Sequence, residues 1–443
     1  MRRRTPDSPR IRIVVFQRHY YDRQAPRITT ISDTATDLLT GRGNATTRLT
    51  LGLVILSLLV LPFSNTVFVP GGILAIWGIV LVCRHFRAMW SDVWIRWALL
   101  LMLALTAPQF LALFDAVNFE RAFRTAATSP LYALAMLPLL WLSRVKDVGT
   151  PVLYIIFGLA VLWSLDGLLE FTTGSNVLGY PYNGRRVDGL FHPNTRLGIV
   201  LAHMLPLVLE ASRRLMATTR LAALAPVLVS TLILLSGTRA AILIACITLI
   251  LYGIFLVWLY RPRPRTIAGL SVIFMVGVTA ALWASPETRA RLAVIPQLAE
   301  LSVEGVDAAT SRRGTIWAAG WQIATEESLL GVGVRGFEPV AKERGYIDRG
   351  FSHIHLYGLD VLVSTGIVGL TAYLAAFIGI LGAIWRRGRT DPAAWPACMA
   401  AALTIFVALN PINAHWTIYS SYTLSLVWLL IGISLTLLIR RPD

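Results

Sequence analysis

The segment Phe351-Ser352-His353-Ile354-His355-Leu356-Tyr357 runs directly into an apolar stretch that contains Gly366-Ile367-Val368-Gly369. This junction closes a long polar region, residues 285–355, that lies between two strongly apolar parts of the chain. The same region contains Ser311-Arg312-Arg313-Gly314-Thr315-Ile316-Trp317 and Gly331-Val332-Gly333-Val334-Arg335-Gly336-Phe337. Arginines, glycines and two histidines are therefore expected where the chain enters a membrane helix.

The composition predicts a membrane protein. Apolar residues make up 56% of the 443 residues and charged residues only 14%, and the mean hydropathy is +0.64, well above that of a soluble globular domain. A net charge of +16 often indicates nucleic-acid binding. Here most arginines lie in short gaps between apolar segments, which indicates membrane orientation instead, and we expect no nucleic-acid partner. The three cysteines lie in or beside apolar segments and predict no disulfide framework.

Twelve apolar segments are long enough to form membrane helices when their flanks are included. They lie at about 49–63, 68–83, 95–114, 126–142, 151–169, 197–209, 221–235, 240–260, 266–284, 356–385, 393–409 and 417–439. The predicted fold class is thus an all-α polytopic membrane protein with about 12 transmembrane helices. The predicted divisions are a disordered basic tail (1–48), helices 1–9 (49–284), one long loop between helices 9 and 10 (285–355), and helices 10–12 (356–443).

The distribution of arginine and lysine predicts which side of the membrane each loop occupies. The tail and every second gap between apolar segments carry most of the 40 basic residues. Because basic loops stay on the cytoplasmic side, the chain is predicted to be multi-pass with both termini cytoplasmic. The long loop then lies on the outer side of the membrane.

Arginines on the outer side run against this bias, and they are the stronger functional candidates. Arg121 and Arg124 follow acidic residues in a short loop and are expected to be solvated. Arg239 joins two apolar helices almost without a loop, where an unpaired guanidinium is costly. It either extends its side chain toward water or binds an anion, and Asp166 and Glu170 are potential structural partners.

Two further arginines precede the sixth predicted helix, in the turn-forming sequence Tyr182-Asn183-Gly184-Arg185-Arg186-Val187-Asp188-Gly189-Leu190-Phe191-His192-Pro193-Asn194. The planar guanidinium suits two-point binding of phosphate oxygens. Pairing of Arg185 or Arg186 with Asp188 is the structural alternative.

His353 and His355 are candidates for a general base, because imidazole titrates near neutral pH. Either could instead be an ordinary residue of the membrane interface. Metal binding by His-x-His lacks a supporting group of carboxylates or cysteines. The glycine-rich segment 331–336 follows no convincing strand, so no nucleotide fingerprint is predicted.

Several of these segments resemble the O-antigen ligase and polymerase superfamily of bacterial membrane proteins. The family shows an arginine before a Gly-x-Phe-x-Pro-Asn turn, a Ser-Arg pair, Arg-x-x-x-Trp, Gly-x-Gly-x-x-x-Phe, and a histidine about eleven residues before Gly-Ile-x-Gly. The matches here are Arg186 with Gly189–Asn194, Thr238-Arg239, Arg313 with Trp317, Gly331-Val332-Gly333 with Phe337, and His355 before Gly366–Gly369. Thr238 replaces the common serine, and Leu356 replaces the asparagine that commonly follows the histidine.

The resemblance implies a GT-C-like, all-helical glycosyltransferase of the bacterial inner membrane, with a periplasmic active site and no cofactor or metal. Its partners would be a glycan on undecaprenyl pyrophosphate, a lipid A–core acceptor and membrane lipids. Arg186, Arg239 and Arg313 would hold the pyrophosphate, with Arg185, Arg312 and Arg335 as further candidates. His355 would be the base, with His353 as the alternative.

Other functions share these features. A polymerase would transfer the glycan to another repeat, and a protein O-oligosaccharyltransferase would transfer it to a protein. The single dominant loop is more typical of the ligases, because polymerases often have two large loops with Arg-x10-Gly spacing. A polysaccharide exporter, a non-enzyme, explains the helices but leaves the outer arginines unexplained.

Overall fold

The computed structural model describes residues 45–261, 303–310, 312–348, 350–414 and 416–439, together with isolated positions between 269 and 293. The α-helices of these ranges are α1 (Ala45–Leu59), α2 (Phe68–Ser91), α3 (Val93–Leu111), α4 (Phe119–Leu134), α5 (Leu137–Ser143), α6 (Gly149–Thr173), α7 (Leu197–Leu215), α8 (Leu224–Leu235), α9 (Arg239–Tyr260), α10 (Val303–Thr310), α11 (Arg313–Glu326), α12 (Phe337–Glu343), α13 (Tyr357–Thr390), α14 (Trp395–Leu409) and α15 (Ser421–Thr436). Short 3₁₀ turns occupy Leu61–Val67, Gly189–Phe191, Arg220–Ala223 and Pro392–Ala394.

The ends of several helices follow from local sequence. Asp92 caps α3, and its carboxylate accepts hydrogen bonds from the N–H groups of Trp94 and Ile95. Asn118 caps α4 in the same way, through the N–H of Arg121. The helix α6 ends at Gly174, whose φ of 86° is the left-handed conformation that stops a helix.

The prediction of an all-α polytopic membrane protein is confirmed. Eleven of the twelve predicted segments overlap helices of the structure, and the described residues contain no named strand. Within the part of the chain that the structure describes, seven helical segments are long and apolar enough to cross a membrane, and three shorter helices are also apolar. The ninth predicted segment, 266–284, lies mostly outside the described residues, as do tail residues 1–44 and most of 285–302.

The helix α7 lies at the centre of the membrane-spanning bundle. Every residue from Leu197 to Ser212 is buried, and α7 packs against α6, α8, α9 and α14. The apolar side chains of this region form one core around α7. A second core joins α3, α13, α14 and α15.

A third, smaller core forms within the polar region and beside it. Side chains of α11 and α12 pack against the first turns of α13, with Ile316, Ile323, Phe337, Ile354 and Val363 all buried. This packing fixes the polar segments 312–337 on the start of α13. The helices α11 and α12 therefore form a small helical subdomain that packs on the start of the membrane helix α13.

Glycines bring these two parts into close contact. The helix α13 is interrupted at Gly366, which has φ 62° and ψ −167°. The segment before Gly333 lies against this interruption: the N–H of Val332 donates to the carbonyl of Val363 at 2.9 Å, and the N–H of Ile367 donates to that of Ser328 at 2.9 Å. A Cβ on Gly331 would lie 2.4 Å from the Val363 carbonyl oxygen. The glycine-rich motif is thus a packing element in this structure.

Candidate functional site

Two histidines lie side by side just before α13. The ring centroids of His353 and His355 are 3.9 Å apart, and His355 has a positive φ of 56°. Between them, the side chain of Ile354 is buried, and its carbonyl accepts a hydrogen bond from the indole N–H of Trp317 at 3.1 Å. The Arg-x-x-x-Trp motif on α11 therefore holds the histidine segment in place.

His353 lies in a positively charged environment. Its pKa is lowered to about 3, because burial disfavours the imidazolium and because His355, Arg335 and Arg313 add positive charge nearby. Its Nδ1 lies 2.7 Å from the hydroxyl oxygen of Ser352. Its Nε2 is buried and has no hydrogen-bond partner among the described residues. His353 is therefore a neutral imidazole at pH 7.

Arg313 and Arg335 lie close enough to His353 for their charges to lower its pKa. Arg313 begins α11, and its Nη1 donates to the main-chain carbonyl of Ala414. Arg335 donates from Nη2 to the carbonyl of Tyr419 at 3.0 Å. Both guanidiniums are partly buried, and burial lowers the pKa of each. Within the described ranges neither forms an ion pair with a carboxylate.

Arg239 joins the same group from the membrane bundle. It is the first residue of α9 and follows the turn at Gly237, where φ is 62°. The positive charge of Arg239 further lowers the pKa of Arg313, so the two guanidiniums lie within electrostatic range of each other. We call Arg239, Arg313, Arg335, His353 and His355 the cationic cluster. Like charges held together in this way favour binding of an anion.

The hydrogen bonds identified for Asp166 and Glu170 go to main-chain N–H groups of the following loop rather than to Arg239. Asp166 accepts a hydrogen bond from the N–H of Val177 at 2.9 Å. Glu170 accepts from the N–H groups of Asp188 and Gly189. These carboxylates on α6 therefore hold the loop between α6 and α7.

Arg185 and Arg186 lie in that loop. Their N–H groups donate to the side-chain oxygen of Asn183 at 2.8 and 2.9 Å. Arg185 is exposed. The charge of Arg186 acts on Asp188: burial raises the pKa of this carboxyl, and the positive charges of His192 and Arg186 offset part of that rise. The hydrogen bonds identified for both arginines stay within the loop, and among the described residues neither forms an ion pair with Asp188.

The loop is nevertheless attached near Arg239. The N–H of Val187 donates to the carbonyl of Leu235 at 3.4 Å, at the end of α8. The main chain next to Arg186 is thus attached to the end of α8, shortly before the turn that carries Arg239. Arg312, by contrast, is exposed in a left-handed conformation with φ 67° before α11, and its N–H bonds to the carbonyl of Asp307. No identified contact joins Arg312 to the cluster within the described residues.

Sequence reasoning missed one part of the site, the loop 410–420 between α14 and α15. This loop supplies the carbonyls of Ala414 and Tyr419 that accept from Arg313 and Arg335. A signal was present, because Asn410, Pro411, Asn413 and Thr417 interrupt two apolar helices. Asn413 and Thr417 are both buried in spite of their polarity.

The described residues contain no group of three or more histidine, cysteine, aspartate or glutamate side chains arranged to hold a metal ion. What the cluster does present is several guanidinium N–H donors beside imidazole nitrogen atoms. Guanidiniums bind and stabilise oxyanions, including a phosphate that gains charge as a leaving group. A neutral imidazole can accept the proton of a hydroxyl group.

The fold and this site define a polytopic all-α membrane protein with a cationic site beside the first turn of one membrane helix. In comparison with known families, residues 224–374 match the family model described as O-Antigen ligase. The match runs from α8 into α13 and contains all five residues of the cationic cluster, and it confirms the resemblance to the O-antigen ligase superfamily. The match supports a function of the O-antigen ligase or polymerase type in general, and members of this family are glycosyltransferase-like enzymes. No curated protein matches the chain.

Proposed function

We propose that the protein is an O-antigen ligase of the bacterial inner membrane. It transfers a glycan from undecaprenyl pyrophosphate to a sugar hydroxyl of lipid A–core oligosaccharide at the periplasmic face. The observation that carries the proposal is the cationic cluster, in which Arg313 and Arg335 lie near the paired histidines and Arg239 lies within electrostatic range of Arg313. A pyrophosphate matches this concentration of positive charge better than a neutral ligand does.

The arginines would bind the pyrophosphate and stabilise the negative charge that it gains on leaving. Arg313 and Arg335 each donate one hydrogen bond to a neutral main-chain carbonyl. Such bonds orient the guanidinium without cancelling its charge, and the remaining N–H groups can serve an oxyanion. Arg186 is proposed as an additional ligand at the edge of the site, with Arg185 and Arg312 as more distant candidates.

His355 is proposed as the general base. It takes the proton of the acceptor hydroxyl while the hydroxyl oxygen attacks the anomeric carbon from the face opposite the pyrophosphate. The bond from that carbon to the pyrophosphate oxygen breaks, its electron pair leaves with undecaprenyl pyrophosphate, and the anomeric configuration is inverted. These steps require no nucleotide or divalent cation.

His353 remains the alternative base, but its environment makes it the weaker candidate. A general base works best with a pKa near the working pH, and the pKa of His353 is lowered to about 3 by burial and by its positive neighbours. A bound pyrophosphate would offset part of that positive charge. His353 is better suited to accept a hydrogen bond beside the base.

Deletion of the gene tests the choice between ligase and polymerase. Loss of a ligase leaves lipid A–core without glycan while polymerised chains persist on the polyprenyl carrier. Loss of a polymerase leaves core capped with a single repeat. We expect a lipopolysaccharide gel of the deletion strain to show uncapped core, and a one-repeat band would contradict the ligase proposal. Loss of an exporter would instead block delivery of the lipid-linked donor.

A further inference from the structure

The loop 410–420 is fastened to the start of α13 by main-chain hydrogen bonds. The N–H of Tyr357 donates to the carbonyl of Asn413 at 3.0 Å, and the N–H of Gly358 donates to that of Pro411 at 2.7 Å. A Cβ on Gly358 would lie 3.2 Å from Pro411, so the two segments are in close contact. The loop that receives two cluster arginines is thus held against the helix that follows the histidines.

One pair of buried side chains makes a further connection. The hydroxyl of Thr417 donates to the carboxylate of Asp360 at 2.5 Å, and both residues are buried. The oxygen of the same hydroxyl accepts a hydrogen bond from the N–H of Tyr419 at 3.1 Å. The carbonyl of Tyr419 in turn accepts from Arg335. Hydrogen bonds therefore link Asp360 to Thr417, Thr417 to the N–H of Tyr419, and the carbonyl of Tyr419 to Arg335.

Asp360 also acts on Arg335 through its charge. Among the described residues, it is the one carboxylate that stabilises the charged form of Arg335, whereas Arg121 opposes it. The Arg335 guanidinium is thus attracted toward the first turn of α13 and also held by the loop. The charge of Arg335 in turn acts on His353, so this guanidinium lies near both Asp360 and His353.

We propose that Asp360 and Thr417 are positioning residues that fix Arg335 for binding of the donor pyrophosphate. The inference rests on the proposed function, because it takes Arg335 as a pyrophosphate ligand. A structural alternative exists: a carboxylate in the first turn of a helix is stabilising by itself, and a buried hydroxyl often serves only to satisfy its partners. The test must therefore separate an effect on Arg335 from an effect on stability.

Binding of undecaprenyl pyrophosphate to the purified full-length protein in lipid nanodiscs supplies that test. Thr417→Val removes the hydroxyl with little change of volume, whereas Thr417→Ser keeps it. We expect Thr417→Val to weaken binding by about 10- to 100-fold, since small displacements of a positioned group have effects of this order. Thr417→Ser should stay within about twofold of wild type. Thr404→Val is the matched control, because the one hydrogen bond of the buried Thr404 hydroxyl among the described residues goes to the carbonyl of Ala400 within its own helix.

Coupling to Arg335 gives the readout that a purely structural role would not produce. We expect Asp360→Asn combined with Arg335→Gln to bind no more weakly than Arg335→Gln alone, because both substitutions remove the same contact. Independent losses that multiply would overturn the inference, and so would wild-type binding by Thr417→Val. If Thr417→Val fails to insert into the membrane, the test rests on Asp360→Asn, whose binding is measured alone and in combination with Arg335→Gln. Failure of the wild-type protein to bind undecaprenyl pyrophosphate would count against the proposed function itself.

Discussion

The guanidinium groups of the cationic cluster are oriented by neutral acceptors. Arg313 and Arg335 donate to main-chain carbonyls of one loop, while Arg239 adds its charge from α9. Because these carbonyls carry no net charge, the site keeps its preference for an anion. The planar fork of each arginine can bind two oxygens of one phosphate, which an ammonium group cannot do.

Arg239→Lys should therefore impair transfer strongly even though the charge is kept. We expect a loss of about 10-fold or more in kcat/KM, since one bidentate contact is lost. The measurement is glycan transfer by the purified variant.

The control for this prediction is Arg124→Lys. Arg124 pairs with Glu120 at 2.9 Å, and both side chains are largely exposed, so its activity should match wild type. Arg121 is also exposed, but its charge acts on Arg335, which makes it the less suitable control. Equal activity of Arg239→Lys and Arg124→Lys would show that Arg239 supplies charge alone.

The sequence indicated the candidate residues of the cluster but not their grouping. Charge on the outer side and motif order singled out Arg239, Arg313 and the histidines without tertiary information. The sequence patterns did not distinguish Arg335 from Arg312, because the difference between them is which guanidinium contacts the loop 410–420 in the folded protein. Arg335 reaches the carbonyl of Tyr419, 84 residues later in the chain, and no local pattern predicts such a contact.

At the scale of elements, the interruption of α13 at Gly366 decides how the subdomain attaches to the bundle. Gly366 has a positive φ of 62°, and a Cβ there would lie 2.0 Å from the carbonyl oxygen of Leu329. Both the backbone conformation and the space exclude a side chain. The motif Gly-Ile-x-Gly is thus explained by packing rather than by chemistry.

Gly366→Ala should detach or distort the contact between the subdomain and α13. We expect a destabilisation of about 2 kcal/mol or more, because a side chain in this conformation is strained and also clashes. Thermal unfolding in detergent measures the effect.

Gly382→Ala is the matched control in the same helix. A Cβ at Gly382 meets no atom within 4 Å, and alanine favours helix, so its unfolding temperature should equal or exceed that of wild type. If Gly366→Ala were as stable as Gly382→Ala, the interruption would not be the attachment point.

The helix α7 shows why one element was harder to predict than its neighbours. Its apolar segment, 197–209, stops short because Glu210, Arg213 and Arg214 follow. In the structure α7 continues to Leu215, and the buried Glu210 binds Arg213 at 2.8 Å and Arg214 at 2.7 Å. A helix surrounded by other helices can carry such charges when they are paired, whereas a lipid-facing helix cannot.

At the scale of the whole molecule, composition was sufficient to predict an all-α polytopic protein. Alternation of basic loops further predicts that both termini are cytoplasmic and that the cationic cluster is periplasmic. The subdomain of α11 and α12 and the start of α13 should then share the outer side.

Fusions to a reporter that is active only in the periplasm test this orientation. We expect activity for a fusion after Ile347, within the subdomain, and none for fusions after Arg387 or at Asp443. Arg387 lies near the end of α13, where basic residues indicate the cytoplasmic side. Activity at Arg387 would contradict the predicted topology and place the cluster on the wrong side for a periplasmic acceptor.

Transfer in a purified system tests the central claim most directly. Wild-type protein is incubated with undecaprenyl-pyrophosphate-linked glycan and lipid A–core, with and without a chelator, beside His355→Ala and His353→Ala. We predict that wild type caps the core equally well with chelator present and that His355→Ala inserts normally but transfers about 100- to 10,000-fold more slowly. Near-wild-type transfer by His355→Ala with loss in His353→Ala would place the base at His353. Near-wild-type transfer by both variants, or no capping by the wild-type protein, would contradict the account.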